Sequence, residues 1–397
     1  TYQTYETVDH LKTGLQWEKQ ISDKLLWDTY AFYAHRDFVG RLPFAYGGYV
    51  DLKRNYYGLG SALEFEPQSN HRMQLRFSLA DQNDHRQRFQ NLNGSPGDNT
   101  LDQEELFFNT AFSFLDEIKW NFGLLRLGLR YDHQRLGTQR QSDQVKLNSF
   151  NPSLGFTYTQ WGRHVMFVSY SSSFETPTLN ELSANPSGND GFNTDLSPSK
   201  AHNLEWGWRH ITSQNTLEAT LYAINTQNEI LPYELEAFPD RDFYRNAGNT
   251  SRMGIELFWQ HQKGSWEWTV AYHYASIKFD DYVLKDKNLS GNYLPGIPQQ
   301  QLNTSLKYHF ERGWGTSIQT QYTGNLYVDD ANQTQVADYF LANLRVWKSF
   351  EHLSFFSGVN NLLNRAYFDN IRINAFGKRY YEPAPMRNFY LGINLNF

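Results

Sequence analysis

Apolar and polar residues alternate with a period of two along most of this chain. In the closing segment 387–397, apolar residues occupy the odd positions from Phe389 onward, and polar or small residues occupy most even positions. Successive side chains of a β-strand point to opposite faces, so this pattern predicts strands with one apolar and one polar face. The same alternation recurs in the segments 73–79, 125–131, 217–223 and 302–310. The pattern therefore predicts an all-β protein.

Short and long connections alternate between the predicted strands. The short ones are predicted turns at residues 20–23, 67–70, 115–117, 162–163, 212–214, 262–264, 311–313 and 350–351. The long polar ones are predicted loops at residues 36–49, 81–103, 132–151, 172–200, 228–241, 279–299, 324–335 and 364–385. Short periplasmic turns and long extracellular loops are typical of an outer-membrane β-barrel. A soluble β-sandwich, the competing architecture, has no reason to keep this parity.

The connections divide the chain into about 17 strands, each long enough to cross a bilayer when tilted. By their parity, the first strand (around 10–19) and the last strand (ending at Phe397) run in the same direction. An antiparallel barrel with an even strand number cannot close through two such strands. We therefore expect a partial transmembrane antiparallel β-barrel that lacks an odd number of strands at its start. The alternative is one misplaced boundary, in which case an 18-stranded porin would close unaided.

Composition agrees with a barrel and excludes several other classes. The 397 residues include 29 Phe, 26 Tyr and 11 Trp, a share of 17% that suits aromatic girdles at the membrane interfaces and argues against disorder. No apolar run reaches about 18 residues, so a helical membrane protein is excluded. The net charge of -6 argues against a nucleic-acid partner. The absence of Cys excludes disulfides, thiolate metal sites and a Cys nucleophile.

The sequence offers no pattern that predicts catalysis or a resident metal. It contains no Gly-x-Ser-x-Gly elbow, no His-Glu-x-x-His motif and no phosphate-binding loop, so we expect no enzyme and no catalytic residue. The 12 His are scattered, and 4 Met are too few for a thioether copper cluster. The loop 188–195 is rich in oxygen donors but lacks the EF-hand spacing, and a flexible polar loop explains it better. We expect no cofactor.

Several segments resemble the β-barrel of TonB-dependent outer-membrane receptors. In chain order they are 173–182, 196–200 with 203–207, 246–249 with 253–256, 358–364 with Tyr367, and 379–385 with 387–389. Ser199 stands where the family more often has Glu, and Met386 replaces the usual Gly. A terminal aromatic such as Phe397 is also typical of proteins inserted by the outer-membrane assembly machinery. The resemblance covers residues 1–397, which we therefore treat as one barrel domain.

The resemblance implies a barrel of the 22-stranded class, of which about 17 strands are present here and five are missing. It also implies a plug domain, and a segment that contacts the energy-coupling TonB complex, that this sequence lacks. The expected location is the outer membrane, where a monomer would contact membrane lipid and lipopolysaccharide. The expected activity is energised uptake of a scarce, bulky ligand. A ferric siderophore is favoured over haem, cobalamin, sugars or other metal complexes.

The predicted long loops carry aromatic and arginine residues that suit such a ligand. They are Tyr233, Arg241, Tyr244, Arg245, Arg372, Arg379, Tyr380 and Tyr381. Arginine and aromatic rings together suit a flat, anionic chelate, because they offer charge, paired donors and stacking. The alternative is that these side chains pack the loops against each other or face lipopolysaccharide. A passive porin of 16–18 strands remains the alternative function.

Overall fold

The computed structural model describes residues 2–188, 190–378 and 380–395, and this part of the chain is largely β-strand. Arg379 and Phe397, both named above, lie outside the described residues. The first ten strands are β1 (Tyr5–Ser22), β2 (Leu25–Arg41), β3 (Tyr49–Gln68), β4 (His71–Leu92), β5 (Ser95–Trp120), β6 (Gly123–Thr138), β7 (Val145–Trp161), β8 (His164–Glu175), β9 (Ser199–Ile211) and β10 (Asn215–Gln227).

Fifteen further strands follow, several of them very short. They are β11 (Ile230–Leu235), β12 (Phe238–Asn246), β13 (Asn249–Lys263), β14 (Trp266–Asp281), β15 (Val283–Leu284), β16 (Lys287–Asn288), β17 (Gln300–His309), β18 (Trp314–Thr323), β19 (Leu326–Tyr327), β20 (Gln335–Val336), β21 (Tyr339–Ser349), β22 (Leu353–Asn360), β23 (Phe368–Ile371), β24 (Tyr381–Pro383) and β25 (Asn388–Leu395). Single 3-10 turns cover Gln141–Asp143, Glu311–Gly313 and Phe376–Lys378.

Seventeen of the described strands form one sheet, and the other eight form four separate two-stranded hairpins. The hairpins are β11–β12, β15–β16, β19–β20 and β23–β24. Two of them lie inside predicted long connections, β11–β12 and β19–β20 begin in such connections and end one to five residues beyond them, and the sheet strands match the predicted count. No plug-like domain occurs among the described residues. The predicted all-β fold and strand number are therefore confirmed.

The chain divides into two compact units, each with its own run of antiparallel strands. Unit 1 comprises residues 1–156, 170–202 and 227–247, and unit 2 comprises residues 157–169, 203–226 and 248–397. In unit 1, strands β1 to β6 pair in chain order. In unit 2, β13 pairs with β14, and the ladder continues through β17, β18, β21, β22 and β25. Neighbours in the chain are thus neighbours in the sheet, as hairpin connections require.

One face of the sheet strands exposes large apolar side chains. On β6, Leu127, Leu129 and Tyr131 are exposed, and on β25 Phe389 and Leu391 are 76% and 79% exposed. Contiguous apolar surface of this kind is rare on a protein surrounded by water but is required of a barrel wall that contacts lipid. The apolar positions are those that the alternation places on one face.

Two predicted connections were wrong in place, and both errors have the same physical origin. The loop predicted at 132–151 is also shorter than expected, because β6 runs to Thr138 and β7 begins at Val145. Residues 81–103 were predicted as a loop, but β4 runs to Leu92 and β5 begins at Ser95 around a tight turn. The turn predicted at 115–117 is strand, and the chain reverses after Trp120 instead. Charged residues interrupt the apolar alternation in both segments. Cross-strand partners such as His71 for Asp116, 2.7 Å apart, keep these charges within a strand.

The only α-helix of the described residues lies in the connection between β8 and β9. Helix α1 (Leu179–Ser183) starts with a capping box, in which the Thr178 hydroxyl accepts from the Glu181 amide and the Glu181 carboxylate accepts from the Thr178 amide. In the part of the chain that the structure describes, no helix is long and apolar enough to span a membrane.

Candidate functional site

The hairpin β11–β12 of unit 1 carries four of the predicted ligand-binding residues. Its register pairs Tyr233 with Phe243 and Leu231 with Arg245. Side chains alternate along each strand, so Arg241, Phe243 and Arg245 share one face with Tyr233. The hairpin therefore brings Tyr233, Arg241 and Arg245 together and places Tyr244 on its opposite face.

Both arginines of this face lie against aromatic rings. The Arg245 guanidinium carbon is 4.6 Å from the centroid of the Tyr233 ring. The Arg241 guanidinium carbon is 4.9 Å from the Phe243 ring and 5.7 Å from the Phe238 ring. Contact with a ring face stabilises a cation without consuming its hydrogen-bond donors. The hairpin thus holds two guanidinium groups against aromatic rings.

Tyr244 points to a hydrophobic cluster beneath the hairpin. The cluster consists of Leu136, Leu179, Leu182, Phe192 and Leu196, and Tyr244 packs against it. Burial raises the pKa of the Tyr244 phenol, and the nearby carboxylates of Asp242 and Glu181 raise it further. This position favours a packing role for Tyr244, the alternative stated above.

Below the hairpin, the polar face of β4 carries a row of charges that the sequence interpretation missed. Asp84, Arg86 and Arg88 are two residues apart and share one face of the strand. Arg54 donates to both oxygens of Asp84 at 2.8 and 2.6 Å, and Arg86 donates to both oxygens of Glu105 at 2.7 and 3.1 Å. Asp84 and Glu105 are both completely buried. Each buried carboxylate is therefore matched by one guanidinium group.

Arg88 and Arg241 have no carboxylate of their own among the described residues. The Nε atoms of both are buried without a hydrogen-bond partner. Burial, with the Arg241 and Arg86 cations nearby, lowers the pKa of Arg88 to about 9, and Glu105 acts in the opposite direction. Burial also lowers the pKa of Arg241. Both groups remain cations at neutral pH, so this end of unit 1 holds positive charge that a bound anion would compensate.

The loop between β8 and β9 is tied to the same wall by Gln103. The Gln103 amide donates to Glu105 at 2.8 Å and to the Ser183 hydroxyl at 3.0 Å, and the Gly191 amide donates to Gln103 at 3.2 Å. The oxygen-rich loop 188–195 thus packs on the sheet, with Asn189 outside the described residues. The polar face of β4, this loop and the hairpin β11–β12 together form a site whose charged and aromatic side chains are positioned before any ligand binds.

The remaining predicted residues lie in unit 2, around hairpin β23–β24. Tyr380 is buried with Val328, Val336 and Ala375, and the Arg372 amide donates to the Tyr380 carbonyl at 3.0 Å. Tyr381 is partly exposed and stacks on Phe368, with ring centroids 4.8 Å apart. Arg379 falls outside the described residues. The position of Tyr380 favours a packing role, whereas Tyr381 presents a ring to solvent.

Metal-ligating side chains do not gather in the described part of the chain. Within residues 2–188, 190–378 and 380–395, no group of three or more His, Asp or Glu could hold a metal ion.

The chain matches a family model over most of its length. The model describes the TonB dependent receptor-like β-barrel, and it matches residues 1–362. This match agrees with the family resemblance of the sequence segments up to residue 362.

Solved structures with the same fold include several outer-membrane proteins. The copper transporter OprC has 16% identity and a TM-score of 0.81, and the alignment covers 98% of this chain and 65% of that one. The siderophore receptor PiuA from Acinetobacter baumannii has 16% identity and a TM-score of 0.78, with 99% and 65% covered. The ferric citrate transporter FecA has 18% identity and a TM-score of 0.83, with 99% and 62% covered. The chain thus spans slightly less than two thirds of these proteins.

Proposed function

Because the chain belongs to the TonB-dependent receptor β-barrel family, whose members are outer-membrane transporters rather than enzymes, we propose that it serves the uptake of a ferric siderophore. The energy would come from the TonB complex, through a plug region of the whole protein. The observation that carries this proposal is the group Arg88, Arg241, Arg245, Tyr233 and Phe243, which we call the arginine–aromatic site. Its two uncompensated guanidinium groups fit an anionic ligand.

The chemistry of the site narrows the kind of chelate that it would recognise. Carboxylate and catecholate groups carry negative charge on oxygen atoms that guanidinium donors can bind in pairs. The Tyr233 ring, beside Arg245, offers a face on which a flat ligand could stack. Among the proteins of the same fold, FecA is a ferric citrate transporter and PiuA is a siderophore receptor. We therefore propose an anionic ferric chelate in preference to a neutral one.

A binding experiment tests the proposed function. The full chain, folded in neutral detergent, is titrated with ferric citrate, a ferric tricatecholate and a neutral ferric trihydroxamate, and binding is read from tryptophan fluorescence. We expect at least one anionic chelate to bind more tightly than the neutral one. The double variant Arg88→Gln/Arg241→Gln should weaken that binding about 100-fold or more, because each charge-assisted hydrogen bond contributes about 1.5–3 kcal/mol.

Two exposed arginines supply the matched control. Arg126 and Arg209 are ion-paired with Glu117 and Glu218 near the opposite, short-turn ends of β6 and β9. The variant Arg126→Gln/Arg209→Gln removes the same charge and should leave chelate binding unchanged. The proposal fails if no chelate binds or if both double variants bind alike. Steady ion conductance that no chelate blocks would instead indicate the passive porin.

A further inference from the structure

A depression lies on the polar face of β1, β2 and β3 in unit 1, around Ala34 of β2. Its volume is about 520 Å³. Small-molecule sites typically have volumes of about 300–1,000 Å³. The strand registers place the residues of this region in rows across the three strands. Starting from the long-loop ends, the rows are His10, Arg36 and Arg54, then Lys12, Ala34 and Tyr56, then Gly14, Phe32 and Gly58. The small Ala34 side chain at the centre leaves the space open.

The first row collects basic side chains, and one carboxylate of the described residues is bonded to them. Arg36 lies directly opposite both His10 and Arg54, and Lys12 follows one row below. The carboxylate is that of Asp84, and both of its oxygens accept from Arg54, at 2.8 and 2.6 Å. Arg36 Nε is buried without a hydrogen-bond partner. Like charges directly opposite each other destabilise paired strands, so an anion bound beside Arg36 and Lys12 would relieve their repulsion.

Aromatic rings border the depression on the side toward the short turns. A Cβ added to Gly58 would lie 2.7 Å from the Phe32 ring, so this ring lies over the glycine. The Phe32 and Tyr56 ring centroids are 5.0 Å apart, and the two planes are inclined by 57°. One row further down, the Tyr30 ring lies over Gly60 in the same way. The rings therefore offer surfaces against which a flat aromatic ligand can pack.

We propose that this depression binds a small aromatic carboxylate. The ring of the ligand would lie over Ala34, between the Phe32 and Tyr56 rings, and its carboxylate would be bound by Arg36 and Lys12. Two residues span about 6.6 Å along a strand, so the long side chain of Arg36 can reach a carboxylate attached to a ring at Ala34. A guanidinium group can bind both oxygens of a carboxylate. We call the site the polar-face site; it consists of His10, Lys12, Phe32, Ala34, Arg36 and Tyr56.

Three matched probes test the polar-face site on the full chain, folded in neutral detergent. Benzoate carries both the charge and the aromatic ring, cyclohexanecarboxylate lacks the ring, and benzamide lacks the charge. Binding is measured by saturation-transfer NMR. We expect benzoate to bind at least about 10-fold more tightly than either other probe, which corresponds to about 1.4 kcal/mol. Equal affinity of benzoate and either other probe would overturn the proposal. The probes contain no iron, so the result does not depend on the proposed function.

Two variants separate the contributions of charge and space. Lys12→Gln/Arg36→Gln should weaken benzoate binding about 10-fold or more, because it removes the charge-assisted hydrogen bonds to the carboxylate. Binding of the neutral benzamide should not change in this variant. Ala34→Leu keeps every charge but fills the centre of the depression, so it should weaken the binding of benzoate and benzamide alike. Benzoate binding that is unchanged in either variant would refute the site.

Lys24 and Arg76, both exposed, supply the matched control. Lys24 lies at the turn between β1 and β2, and Arg76 lies on the polar face of β4, six residues before Gln82. The variant Lys24→Gln/Arg76→Gln removes the same charge and should bind benzoate as the unaltered chain does. Equal weakening in the control and in Lys12→Gln/Arg36→Gln would contradict a localised site. If a variant does not fold, the comparison of the three probes on the unaltered chain decides.

Discussion

At the scale of single residues, the described part of the chain contains buried charges that are paired and arginines that have no carboxylate partner. Glu105 and Asp84 are buried and each accepts two hydrogen bonds from one arginine, whereas Arg88 and Arg241 are left without such a partner. Charges buried in pairs are sensitive to the loss of either member, because the remaining charge keeps its desolvation cost. The negative charge of Glu105 is therefore expected to contribute strongly to the stability of the protein.

Replacing Glu105 by Gln should destabilise the protein markedly. The amide keeps the shape but removes the negative charge, so Arg86 would stand uncompensated beside Arg88 and Arg241. We expect a loss of about 3–5 kcal/mol in the free energy of unfolding, measured by urea titration in lipid vesicles. Glu218→Gln, at the exposed pair with Arg209, should cost no more than about 1 kcal/mol. Similar losses at both positions would show that burial of the Arg86 pair is not decisive.

The two faces of a sheet strand should respond differently to a charge. Leu391 on β25 is 79% exposed on the apolar face, and Asn394 lies on the other face. Leu391→Arg should cost about 2–4 kcal/mol in a bilayer, and Asn394→Arg much less. Leu306→Arg and Ser305→Arg on β17 repeat the comparison. Equal costs within each pair, measured in vesicles, would mean that the assignment of faces is wrong.

At the scale of elements, tight turns and loop hairpins decide how far the strands extend. Asn93 and Gly94 join β4 to β5 with φ values of 54° and 95°, as expected for a type I′ turn. The Gly94 amide donates to the Asn91 side chain, whose own amide donates to the carbonyls of Tyr2 and Leu42. The turn thus anchors the extended hairpin that carries Arg86, Arg88 and Gln103.

Gly94→Ala should loosen this hairpin. A side chain at positive φ costs about 1–2 kcal/mol, and the added Cβ would lie 2.7 Å from the Gln3 side chain. We expect a matching loss of stability and faster amide hydrogen exchange in residues 85–100. Asn93→Gly, which tolerates the same backbone, should change the free energy of unfolding by only a few tenths of a kcal/mol. Unchanged exchange in Gly94→Ala would contradict the anchoring role of the turn.

At the scale of the whole molecule, the fold depends on the pattern of apolar, polar and turn positions and not on the identity of individual residues. Structures with only 16–18% identity superpose with TM-scores of 0.78–0.83 over nearly the full chain. A barrel wall needs apolar residues toward lipid, polar residues on the other face and turns between strands, and many residues satisfy each need. Specific chemistry is therefore expected in the loops and at the strand ends, where the arginine–aromatic site lies.

The sequence alone determined the all-β class, the strand number, the direction of the strands and the family. These follow from local signals, since the alternation of side chains and the length of a connection are properties of consecutive residues. It also included Tyr233, Arg241 and Arg245 among the eight candidate ligand-binding residues, although the predicted connection ends at residue 241. Tyr244 lies on the opposite face of the hairpin from these residues. The register of the hairpin shows this, but the sequence analysis predicted residues 228–241 as a loop and so gave no register.

Only the tertiary structure decided which distant residues share a site. Arg88 lies on β4 and Arg241 on a loop hairpin more than 150 residues later, and nothing in the sequence shows that this hairpin packs over the end of β4. The segment 81–103 carries charges on both faces, so it shows no alternation of apolar and polar residues. The cross-strand ion pairs that stabilise it as a strand form only when the strands pair. Contacts between segments depend on register and packing, whereas the pattern within a segment depends on the chain alone.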